Sequence, residues 1–234
     1  MSYSYVLPGE QSSSGSAKRW LVAYPLAQLI CLGAATITAA LARHLQWPDG
    51  SNEALATSVA IAAAYGLTFG YLRGIALRDK LARFSMPMWC TAIAVVSLFF
   101  LPPEPEALGL STALSNLQAA ARAAMPVALS GFVYGVVIGA AEAFSLRRAA
   151  YGLFGWSVMS GLAWGLGHIA ASVAAGLAAP LPLTPLQSGA AHVACMTLQA
   201  AIAGIVMVLA LRLITPRLRH YGPRVYRPAV KARG

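Results

Sequence analysis

Six stretches of this chain are apolar over roughly the 20 residues that a helix needs to cross a hydrocarbon core about 30 Å thick. They run from Trp20 to Leu41, Ala54 to Leu72, Phe84 to Leu101, Pro126 to Leu146, Tyr151 to Leu177 and Leu186 to Ile214. Backbone groups inside lipid must be satisfied within their own segment, so each stretch reads as a helix. Hydrophobic residues at 58%, charged residues at 10% and a mean hydropathy of +0.65 exclude an ordinary water-soluble domain. The expected fold is an all-α, polytopic transmembrane bundle of about six spans over residues 20–214, between a polar tail (1–19) and a basic tail (215–234). The first apolar stretch is too long for a signal peptide and lacks a small-residue cleavage site, so a removable leader is not expected. Cys31, Cys90 and Cys195 each fall in a different apolar stretch, which points to buried thiols rather than a disulfide framework.

A formal charge of +10 would suggest nucleic acid in a soluble chain, so the placement of the cations decides its meaning. Lys18 and Arg19 precede the first span. Arg73, Arg78, Lys80 and Arg83 lie between the second and third, Arg147 and Arg148 between the fourth and fifth, and seven more run from Arg212 to Arg233. With six spans, 15 of the 17 cations share one side and only Arg43 and Arg122 lie on the other. The positive-inside rule then orients the chain in the inner (cytoplasmic) membrane with both termini cytoplasmic. Topology accounts for the charge, and a nucleic-acid partner is not expected. Cations interleaved with Tyr221 and Tyr226 in the C-terminal tail suit anionic lipid headgroups.

Between spans three and four, Pro102, Pro103 and Pro105 interrupt the helix, and Leu110, Leu114, Leu117 and Ala121 recur at helical spacing. The pattern predicts a short helix on the outer membrane surface over residues 105–122. Pro180, Pro182 and Pro185 predict a stiff hairpin between spans five and six.

An internal repeat is visible. Tyr65-Gly66, then Gly70, Arg73 and Leu77, aligns with Tyr134-Gly135, then Gly139, Glu142 and Leu146, at an offset of 69 residues. Both copies run in the same direction and turn back through a basic loop, so spans two and three match spans four and five as a parallel repeat. Gly66, Gly70 and Gly74 in one copy and Gly131, Gly135 and Gly139 in the other recur every fourth residue. Small residues at that spacing make grooves where helix backbones approach closely. Such a groove can take a neighbouring helix of the same bundle, a partner's helix or a lipid tail.

Glu142 lies one turn inside the cytoplasmic end of span four, where an unpaired carboxylate is costly. Its counterpart in the repeat is Arg73, so pseudo-symmetric packing would bring the two together as an ion pair, with Arg147 as a second candidate partner. In span five, Ser157, Ser160, Trp164, His168 and Ser172 share one face, and in span six so do His192, Met196 and Gln199. His168 should lie roughly 14 Å below the outer end of its helix and His192 roughly 9 Å below its own, close enough to meet within a turn. Two facing histidines beside small residues could ligate a haem or a chlorophyll-type pigment, or simply hydrogen-bond Ser and Gln across helices.

Trp164-Gly165-Leu166-Gly167-His168, preceded by Ser160-Gly161, resembles the second motif of the CAAX-protease and bacteriocin-processing family. That family also uses a Glu-Glu pair and an Arg on the preceding span. Here Val133-Tyr134 through Ile138-Gly139 carry no acid, and the terminal His motif is missing from the Arg-rich tail. The likeness covers about one helix, and no catalytic residue or metal-ligand set is assigned from it.

The expected function is a non-enzymatic accessory or assembly subunit that packs with helices of other membrane protein subunits. A small-solute or proton-coupled permease, lined by Ser157, Ser160, His168, His192 and Gln199, is the alternative. A haem- or pigment-binding subunit using His168 and His192 is the third reading.

Overall fold

The computed structural model describes residues 13–44, 52–78, 81, 84–100, 102–106, 108, 117–213 and 215–216. Among them are six helices: α1 (Ser13–His44), α2 (Asn52–Arg78), α3 (Met86–Ser97), α4 (Leu117–Leu146), α5 (Leu153–Ala178) and α6 (Pro185–Leu213). A two-residue strand β1 (Ala150–Tyr151) pairs antiparallel with β2 (Thr215–Pro216), tying the α4–α5 connection to the end of α6. Each helix packs on its neighbours in sequence, and α6 packs back on α1, so the bundle closes into a ring.

Three helical stretches, Arg122–Leu146, Leu153–Ala178 and Pro185–Leu211, are long and apolar enough to cross a membrane. α1 and α2 match them in length at 32 and 27 residues. α3 is apolar but has 12 residues, about 18 Å of helix. Two helices start well before the apolar stretch they contain: α1 at Ser13 rather than Trp20, and α4 at Leu117, with Pro126, which the sequence offers as a helix start, inside it. The outer helix expected over 105–122 lies partly outside the described residues. Where the chain is described, residues 102–106 are non-helical and the residues from Leu117 onward belong to α4.

Apolar side chains are distributed as in a membrane protein. Val22, Leu29, Ile37, Leu129, Phe154 and Ile205 face outward, while Gln28, Arg73, Glu142, Ser160, His168 and Gln199 are buried. Water would favour the reverse arrangement; lipid favours this one.

The glycine grooves are filled from within the hairpins. A Cβ on Gly70 would stand 3.2 Å from the Cα of Cys90, and one on Gly66 would meet the backbone of Ala94, so α2 lies directly against α3. A Cβ on Gly139 would stand 2.9 Å from the Cα of Ser157, and one on Gly135 2.8 Å from that of Gly161, so α4 lies equally close to α5. These contacts gain dispersion energy without any hydrophobic drive in lipid. Gly152, at φ 78°, turns the chain into α5 in the left-handed region that glycine tolerates.

Gly135→Ala should therefore force two backbones apart and cost about 1–3 kcal/mol. Gly33→Ala, with nothing within 4 Å of the new methyl, should be neutral or stabilise by up to about 1 kcal/mol through helix propensity. Thermal unfolding in detergent compares the two directly, and equal effects would contradict the packing described.

Candidate functional site

The polar centre of the ring is built around one cation. Arg73 lies five residues before the end of α2, and Glu142 four residues before the end of α4, so both reach the axis near the same end of the bundle. Their side chains are 0% exposed and in direct contact, Nη1 of Arg73 on Oε1 of Glu142. Arg73 Nε has no acceptor among the described residues. Two further polar atoms of the pair are hydrogen-bonded. Arg73 Nη2 donates to the Tyr24 hydroxyl at 2.7 Å, and the Trp156 indole N–H donates to Glu142 Oε2 at 2.7 Å.

Aromatic faces enclose the guanidinium. Its carbon lies 4.4 Å from the ring centre of Tyr24, 4.6 Å from Phe69, 5.3 Å from Trp20 and 5.7 Å from Trp89. Desolvated cation–π contacts reach about 2 kcal/mol or more, so the rings supply attraction where the single carboxylate leaves the cation under-solvated. The box and its ion pair draw on five of the six described helices. Trp20 and Tyr24 come from α1, Phe69 and Arg73 from α2, Trp89 from α3, Glu142 from α4 and Trp156 from α5. α6 supplies Gly204, where a Cβ would stand 2.9 Å from Cβ of Tyr24.

A second polar layer lies further along the ring. The Tyr65 hydroxyl donates to Gln28 Oε1 at 2.6 Å, and the Cys31 thiol donates to the Tyr65 carbonyl. Trp164 fills the space between the layers, edge-on to Tyr134 at 4.8 Å and 6.0 Å from Phe69.

The polar stripe of α5 is largely internal. Ser160, Trp164, His168 and Ser172 are buried and Ser157 is half-buried. Ser157 donates to the Leu153 carbonyl within its own helix. Ser172 anchors the non-helical segment: the Glu106 N–H donates to its hydroxyl at 3.1 Å and the Leu108 N–H to its carbonyl at 3.0 Å. His168 and Gln199 face one another. Ser97 Oγ, Ser160 Oγ, Trp164 Nε1, His168 Nδ1 and both polar atoms of Gln199 are buried without a hydrogen-bond partner among the described residues.

His168 and His192 are not brought together. Gly167 sits on the backbone of Gln199, which sets His168 at the level of Gln199, two helical turns or about 10 Å from His192. His192 is exposed, at the edge of an open cavity of about 270 Å³ with Pro105, Leu183, Ser188 and Cys195. Counting each histidine from the end of its own helix missed this, because the offset depends on how the α5–α6 hairpin seats. Arg147 is also apart from Glu142. It is exposed, with its guanidinium 3.8 Å over the Phe144 ring. Among the described residues, no group of three or more His, Cys, Asp or Glu side chains is placed to hold a metal ion.

Sequence reasoning missed the aromatic box. Its one visible trace is the spacing of Trp89 and Trp156, which lie at matching places on the second helix of each hairpin. Comparison with protein-family models, with curated proteins and with solved structures returned no match. The three long apolar helices and the lipid-suited exterior make the chain compatible with a membrane protein.

Trp156→Phe keeps an aromatic ring but leaves part of the indole's volume empty and removes one hydrogen bond to a buried charge, so it should cost at least about 1.5–3 kcal/mol of stability. Arg147→Gln, at an exposed site, should stay within about 0.5 kcal/mol of wild type. Comparable losses in denaturant unfolding would contradict the assignment of Glu142 to the centre.

Proposed function

We propose that the chain is a six-span protein of the inner (cytoplasmic) membrane with both termini cytoplasmic, acting as a non-enzymatic accessory or assembly subunit. Support for six passes comes from the outward apolar faces of the remaining helices: Leu26, Ile30 and Ile37 on α1, Val59, Leu67 and Ile75 on α2, and Val95 on α3, continued by Leu98, Phe99 and Phe100. The cation distribution supports the orientation.

The hairpins α2–α3 and α4–α5 are read as duplicated units. Their first helices align at an offset of 69 residues and their second at 67, which matches Trp89 with Trp156, Cys90 with Ser157, Ile93 with Ser160 and Ala94 with Gly161. The glycine contacts follow the same register. Gly66 abuts Ala94 and Gly70 abuts Cys90 and Ile93, as Gly135 abuts Gly161 and Gly139 abuts Ser157 and Ser160.

One observation carries the accessory role. The outer face between α4 and α5 holds a wholly apolar groove of about 300 Å³, floored by Ala128 and Gly165 and walled by Met125, Leu129, Phe132 and Leu166. A small-residue floor between large walls suits the ridge of another membrane helix. The interior charges are meanwhile spent on each other. The permease reading rests on a different observation, the partnerless buried polar atoms of Ser97, Ser160, His168 and Gln199, which a solute or water file could use.

A photocrosslinker at Leu166 separates them. The accessory reading expects a discrete protein adduct from native membranes, and a cysteine at Ser160 that stays unreactive to a membrane-impermeant thiol reagent. Lipid adducts alone at Leu166, with rapid labelling at residue 160, would overturn it in favour of transport.

A further inference from the structure

A second groove lies between α1 and α2, and it differs from the first in carrying charge at one end. Its volume is about 390 Å³. Ala23 and Ala76 form the floor, Val22, Leu26, Leu72 and Ile75 the walls, and Lys18 and Arg19 stand at the mouth. Both cations are exposed, and Val22 is 60% exposed on the wall. From Lys18 to Leu26 the groove follows α1 for about 12 Å, less than half the hydrocarbon thickness, so it stays within one leaflet.

The same two turns of α1 serve opposite purposes on opposite faces. Trp20 and Tyr24 point inward to the Arg73 box, and their burial fixes the rotation of the helix. That rotation leaves Lys18, Val22 and Leu26 facing outward in a line. The groove is therefore held in shape by the most constrained part of the bundle.

We propose that this groove binds one anionic phospholipid, with an acyl chain between α1 and α2 and its phosphate at Lys18. Charge complementarity selects this occupant. An apolar trough open to cations at one end matches a molecule that is apolar along its length and negative at its head. Among the described residues no acidic side chain lines it, and a zwitterionic headgroup would bring its own cation against Lys18. The inference rests on the proposed membrane placement, with Lys18 at the cytoplasmic surface where anionic lipids gather.

Native mass spectrometry of the detergent-purified full chain, with phosphatidylglycerol or phosphatidylcholine added, tests it. Wild type should retain one phosphatidylglycerol about fivefold better than phosphatidylcholine, the scale of one cation at an anionic headgroup. Lys18→Glu should abolish that preference with the melting temperature unchanged. Ile75→Trp, which narrows the trough, should weaken retention of both lipids. Reversing Arg224 and Arg227 in the tail should leave the bound lipid in place. Equal retention of the two lipids by wild type, or a loss that follows the tail variant rather than Lys18→Glu, overturns the site. The measurement does not depend on orientation, so a tag on Met1 that reports the outer side would overturn the topology alone.

Discussion

A guanidinium and a carboxylate shut away from water inside an apolar bundle set the terms for the rest of this protein. Removing each ion from water costs several kcal/mol even after relaxation, and the mutual attraction offsets this only when the remaining polar valences are met. Arg73 and Glu142 go most of the way to that condition through the Tyr24 hydroxyl, the Trp156 indole and the faces of Trp20, Tyr24, Phe69 and Trp89, drawn from α1, α2, α3 and α5. The pair adds little net stability beyond a well-packed apolar centre. Its effect is on specificity, because α2 and α4 cannot rotate or slide by one residue without exposing a charge to hydrocarbon. The helices that carry the rings are held to the same register.

Around that centre the bundle is economical in contact type. Within each hairpin, glycine lets backbones touch; between hairpins, the ion pair and the aromatic box do the joining. α1 and α6 close the ring, α1 by its aromatic edge and α6 by the gap at Gly204. Surface function then falls to the outside. One groove, between α4 and α5, is apolar throughout and fits a helix; the other, between α1 and α2, is apolar with a cationic mouth and fits a lipid. The partnerless polar atoms near His168 and Gln199 are an internal feature that a purely structural role does not use.

Much of this was legible in the residues, and the parts that were not share a cause. Apolar run length and glycine spacing are properties of single helices, so the helical class and the close-packing faces could be read directly. The juxtaposition of Arg73 with Glu142 was readable because the offset between the hairpins converts one position into the other. The aromatic box was not, since a tryptophan in an apolar run is equally at home against lipid, and only the rotation of each helix decides. The same limit misplaced His192, whose height relative to His168 depends on the seating of Gly167 against Gln199. Pro126 reads locally as a helix start, yet α4 runs nine residues further back, because proline inside a helix is tolerated when neighbouring helices re-satisfy the backbone.

The central claim is that Arg73 and Glu142 act as one unit across the ring, and a double-mutant cycle tests it most directly. Arg73→Gln and Glu142→Gln should each cost about 3–5 kcal/mol by stranding a buried charge. The double variant should cost less than the sum by at least about 1 kcal/mol, as expected for residues in contact. Additive losses, or wild-type stability in either single variant, would contradict it.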